Sequence, residues 1–113
     1  MVQEFTQTGG IRYGSSFWFS VNFTAPFACL RVSKDAIILS VSIFRLWQRT
    51  FTFQRSAIRQ LRWKRGLFSL GLQIEHTVGE YPPLVLFWVR DRKALADSLR
   101  GFGYEISDRN RVV

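Results

Sequence analysis

The sequence predicts a mainly β domain: a bent sheet of seven antiparallel strands followed by one C-terminal helix. Three observations carry that expectation. Apolar side chains recur at every second residue from Phe17 onward, as in strands that bury one face. The apolar spacing becomes helical only after Asp91. Gly, Pro, Ser and Asp break the alternation at short intervals, which suits sequential antiparallel pairing.

Residues 1–16, with Gly9-Gly10 and Gly14-Ser15-Ser16, have no sustained period and read as a flexible N-terminal lead-in. The first strand is expected over Phe17 to Phe23, with Phe17, Phe19, Val21 and Phe23 on its inner face, and Thr24-Ala25-Pro26 interrupts it. Ala28, Leu30 and Val32 mark the second strand, and Ile37, Leu39 and Val41 the third, joined through Lys34-Asp35. The fourth runs from about Trp47 to Phe53 with Phe51 and Phe53 inward. Ile58 and Leu61 stand three apart, a spacing that strict alternation cannot put on one face. A short helical turn or bulge over Arg55 to Arg59, then a strand through Trp63, accommodates them; one continuous helix from Phe53 to Arg65 is the rival. Phe68 to Ile74 alternates cleanly, and Leu84 to Val89 is apolar on both parities, so both of its faces should be covered. Asp91 can cap a helix from Arg92 to Phe102, striped by Leu95, Leu99 and Phe102 and stopped by Gly103. Tyr104 and Ile106 can pack back; residues 107–113 read as a loose C-terminal tail.

A chain of 113 residues suits one domain, here residues 17–106, and 47% hydrophobic content is too apolar for a disordered chain. The single cysteine, Cys29, excludes an intrachain disulfide and a cysteine-based zinc site. Its outward parity beside Arg31 makes a positively influenced thiol conceivable, while a small filler is the commoner role. No segment approaches the ~20 apolar residues that cross a bilayer, and the N-terminus lacks the pattern of a signal peptide. The chain therefore reads as soluble and cytoplasmic.

The net charge is +8. Between Asp35 and Glu75 there is no acid, while Arg45, Arg49, Arg55, Arg59, Arg62, Lys64 and Arg65 contribute seven positive charges. Such a field favours nucleic acid, acidic protein or anionic lipid without choosing among them.

The element order resembles the pleckstrin-homology-like superfold, including its GRAM-like and bacterial members. The residues that carry the resemblance are Ala36-Ile37-Ile38-Leu39, Ser56-Ala57-Ile58-Arg59-Gln60-Leu61, Leu72-Gln73-Ile74-Glu75-His76 and Leu99-Arg100-Gly101-Phe102-Gly103-Tyr104. The resemblance implies an open barrel closed at one end by the helix, and a scaffold that binds phosphoinositide heads, peptides or protein surfaces. In lipid-binding members, basic residues flank the loop between the first two strands. The loop expected here, Thr24-Ala25-Pro26-Phe27, is uncharged, so no headgroup ligand is assigned.

Catalysis finds little support. His76 is the only histidine and reads as a strand-end structural residue; there is no nucleophile elbow, phosphate loop or carboxylate pair at helical spacing. The expectation is a non-enzymatic binding or scaffolding module without cofactor or metal. Its anionic partner would be held by Arg45, Arg49, Arg59, Arg62 and Lys64, converging on one sheet face, with a protein or peptide as the leading partner. The alternative is anionic membrane lipid, contacted through Phe44, Leu46 and Trp47 in the loop from Ile43 to Arg49, whose bland reading is packing on the core. Nucleic acid ranks last, since no binding motif is present, and an exposed sheet edge would also permit a homo-oligomer.

Overall fold

In the computed structural model, which describes residues 4–16, 18–44, 46–65 and 69–107, the alternating segments pair into one sheet of eight strands. They are β1 (Glu4–Gly14), β2 (Ser20–Ser33), β3 (Ala36–Ile43), β4 (Trp47–Gln54), β5 (Ile58–Arg65), β6 (Leu70–His76), β7 (Leu84–Val89) and β8 (Ile106–Ser107). One helix, α1 (Arg92–Gly101), lies between β7 and β8. The order across the sheet is β4-β3-β2-β1-β7-β6-β5-β8, and the sheet does not close on itself. Every ladder is antiparallel except the two-residue pairing of β8 with β5. The expected β sheet with a C-terminal helix is the observed class.

Two expectations about the N-terminal third are corrected. Residues 4–14 are no lead-in: β1 is an interior strand, paired with β2 from Glu4 to Gly14 and with β7 from Gly10 to Gly14. The two strands expected over 17–33 are one, β2, and Thr24 to Phe27 lie within it. Gly9 pairs with Ala28 and Ile11 with Phe23, so four residues of β2 bulge out opposite Gly10 alone. Pro26 sits in this bulge, where no N–H is asked of it. The bulge shifts the parity of β2. Below it Ala28, Leu30 and Val32 face the core; above it the odd positions Phe23 and Val21 stand opposite the buried Ile11 and Tyr13. Phe19 and Val21, expected inside, are nevertheless exposed, at and just before the start of β2. Phe17 and Phe68, also expected inside, lie outside the described residues, as do residues 108–113 of the expected tail.

Elsewhere the sequence pattern is followed closely. Residues 55–57 form a 3-10 turn and β5 begins with a register shift between Ile58 and Gln60, so the continuous helix is excluded. The inner face gathers Ile11, Tyr13, Leu30, Leu39, Phe51, Phe53, Leu61, Leu72 and Phe87 into one core. Helix α1 adds Leu95 and Leu99 to it. Asp91 caps α1 by accepting the Ala94 N–H at 3.1 Å, and Gly103, at φ 88°, stops it. Ile106 packs back and pairs with Leu61.

Arg55 fixes the helix end to the sheet. Its guanidinium donates to the carbonyls of Lys34 at 2.7 Å, Phe102 at 2.9 Å and Gly103 at 2.6 Å, and lies 4.2 Å from the Tyr104 ring. The carbonyls left over at a helix C-terminus thus find a charged donor. The Tyr104 hydroxyl donates to Ser33 O at 2.8 Å; burial pushes its pKa up, against the opposing pull of the Arg55 charge. The connection from β6 to β7 crosses to the free edge of β4, where the Tyr81 hydroxyl accepts the Thr52 N–H at 2.9 Å. His76 holds that connection in place. Its Nε2 donates to Pro82 O at 2.9 Å, its Nδ1 accepts the Val78 N–H at 3.0 Å, and its ring sits 4.9 Å from Phe53.

Candidate functional site

A sheet hides apolar side chains on its inner face, so large ones left outside need a reason. Among the described residues the exposed large hydrophobic side chains are Trp18, Phe19, Val21, Phe44, Leu46 and Trp47. They occupy two places only: the β1–β2 connection with the start of β2, and the β3–β4 connection with the start of β4. Both connections lie at the end of the sheet opposite the Lys34-Asp35 turn that Arg55 ties to the helix.

Local sequence builds each tip. In the first, Ser15 N donates to Phe19 O at 3.1 Å and Phe19 N to the Ser16 hydroxyl at 3.3 Å, closing the turn around Trp18. In the second, Leu46 N donates to Ile43 O at 2.8 Å across a tight turn, and Phe44 takes φ 51°. A non-glycine residue at positive φ costs about 1 kcal/mol, a cost seen most often at functional turns. Two aromatic contacts join the second tip to β2, the strand that rises from the first. Phe23 stacks on Trp47 at 5.5 Å between ring centroids, and Phe27 meets Phe44 edge-on at 5.9 Å. Trp18 and Leu46 are each 86% exposed, so they project beyond this joint. Phe44, Leu46 and Trp47 are therefore not packed into the core.

The five basic residues expected on one face do not share one. Arg49 has the inner parity of Phe51 and Phe53; its guanidinium lies 5.1 Å from the Tyr13 ring and 4.6 Å from the Phe51 ring. Arg62 faces outward and pairs with Glu75 on β6 at 3.2 Å, while also donating to the Gln60 amide oxygen at 3.0 Å. Arg59 and Lys64 are exposed along β5. Arg45 lies outside the described residues. The acid-free run was a property of the chain, not of the surface: antiparallel pairing brings Glu75 to Arg62.

Sequence reasoning missed Trp18 and placed Phe19 and Val21 inside. One signal was available. Trp18 and Phe19 are apolar on both parities between Ser15-Ser16 and Ser20, a break in alternation bounded by turn formers. Tyr13, inside the supposed lead-in, was missed with it.

Among the described residues no three His, Cys, Asp or Glu side chains gather as a metal site, and no helix is long and apolar enough to cross a membrane. No protein-family model matches the sequence, and a search of curated proteins finds no significant match.

Proposed function

We propose that this domain is a peripheral membrane-binding module that inserts its two apolar hairpin tips into the interface of an anionic bilayer. The observation that carries this reading is that, among the described residues, the exposed large hydrophobic side chains are confined to one end of the sheet. Projecting tips suit insertion better than they suit a flat protein partner. Trp and Phe are the residues that settle at the boundary of headgroup and acyl chain, and transfer of each side chain is worth about 1.5–3 kcal/mol when complete. The net charge of +8 adds attraction to an anionic leaflet of about 1 kcal/mol for each cation that reaches the surface. Seven strands and then α1, with the two-residue β8 after it, is the kind of order that the pleckstrin-homology-like resemblance implies, and the tips would give such a scaffold a binding end without a phosphoinositide motif.

Sedimentation with vesicles tests it. The Trp18→Ser/Leu46→Ser variant should bind phosphatidylserine-containing vesicles at least ~30-fold more weakly, from the loss of two anchors. Equal binding by variant and wild type removes the tips from the interaction.

A second reading has one observation of its own. Arg59, Lys64 and Arg65 are exposed along β5, where an acidic peptide or protein could bind. A soluble partner lost from Lys64→Glu and kept by the tip variant would favour it.

A further inference from the structure

Among the described residues, Arg49 is a cation of this surface whose environment is unexplained. Arg31 pairs with Glu4 at 3.1 Å, Arg62 with Glu75 and Lys93 with Asp97, and Arg55 spends its donors on three carbonyls. Arg49 is half-buried, yet among the described residues it has no carboxylate partner and no hydrogen bond, only the faces of Tyr13 and Phe51. Those rings hold the guanidinium over their faces, and none of its N–H groups is given to an acceptor within the described residues. A partly desolvated cation without an anion is unfavourable; an oxyanion taken in a two-bond fork would correct it.

Position decides which oxyanion. Tyr13 is the last residue of β1 but one, and Arg49 is the third of β4, so both stand at the open end of the sheet just behind the tips. Arg49 is two positions along the strand from Trp47, about 7 Å. Interfacial side chains reach about 5–10 Å past the headgroup boundary. With Trp47 at the acyl boundary, Arg49 is level with the lipid phosphates.

We propose that Arg49, held on Tyr13 and Phe51, is a phosphate-binding residue and that its ligand is a lipid phosphate group at the membrane surface. The assignment rests on the membrane reading but can fail without it.

The probes are phosphatidylcholine vesicles carrying equal negative charge from phosphatidic acid or from cholesteryl hemisuccinate, which has only a carboxylate. Wild-type protein should prefer phosphatidic acid by about fivefold, the worth of one net hydrogen bond, since the equal surface charge cancels. Arg49→Gln and Arg49→Lys should both lose the preference while still binding through the tips, with circular dichroism unchanged. Arg49→Lys is decisive, because it keeps the charge and the stem but not the fork. Lys64→Gln, removing equal charge from β5, should keep the preference. A preference retained by Arg49→Lys, or absent from wild type, overturns the phosphate site and leaves tip insertion standing. Loss of all vesicle binding by the tip variant alone supports insertion, whichever way Arg49 behaves. Inorganic phosphate without vesicles should leave the Arg49 side-chain NMR signals unmoved; saturable shifts would make soluble phosphate the ligand and overturn the lipid assignment.

Discussion

A chain lacking residues 1–14 is expected not to fold. Removing β1 breaks its ladders to β2 and β7, splits the sheet into β4-β3-β2 and β7-β6-β5-β8, and exposes two new edges. It also takes Ile11 and Tyr13 from the core, where each buried side chain contributes about 1.5–3 kcal/mol. Together with the lost ladders this is comparable with the whole stability of an ordinary domain, about 5–15 kcal/mol. The truncated protein should give a collapsed amide NMR spectrum and no cooperative melt. Were these residues the flexible lead-in that their glycines suggest, the melting temperature would hardly move.

Gly9→Ala is expected to destabilise by about 3 kcal/mol, the upper end for overpacking, and to lower the melting temperature by about 10–15 °C. A methyl group there would collide with the Trp88 carbonyl oxygen and come within 2.7 Å of the Phe87 ring. Gly10 is equally confined: its added Cβ would stand 2.5 Å from Phe23 O and 3.2 Å from Ala25 N, in the bulge of β2. Gly79→Ala provides the contrast, since a Cβ there meets nothing within 4 Å, and its effect should stay within about 0.5 kcal/mol. Equal thermal melts for the two variants would mean that β1 does not pass so close to β7.

Those glycines show where the sequence is hard to read. Gly9-Gly10 was expected as chain punctuation because glycine is common in loops; here it admits two neighbouring backbones at close range. Nothing local distinguishes the two uses, since the residues that require the space, Phe87, Trp88 and Phe23, are distant in sequence. The legible elements were those with uninterrupted alternation, a continuous apolar run or a cap: β3, β4, β6, β7 and α1. Leu61 was placed inside correctly once Arg55 to Ala57 was allowed a turn, whereas Trp63, buried two residues on, was given no face.

The site was half legible. Phe44, Leu46 and Trp47 stood out beside arginines, and they do form part of the exposed end. Their counterparts Trp18 and Phe19 were masked because the odd-position alternation runs on through Phe23, although the strand begins only at Ser20. The proposed convergence of Arg49 with Arg62 failed for a related reason. Parity assigns a face within one strand, but Arg49 takes the inner face of β4 and Arg62 the outer face of β5. Glu75 became visible as a partner only when β5 and β6 were in register.

Tryptophan fluorescence with acyl-chain-brominated lipid tests tip insertion most directly, because bromine quenches only indoles that reach the hydrocarbon. Anionic vesicles made with such lipid should quench and blue-shift the wild-type emission, and the quenched component should vanish in Trp18→Phe/Trp47→Phe while Trp63 and Trp88 go on emitting. Emission untouched by brominated vesicles, or quenched equally in the double variant, would contradict insertion of the tips.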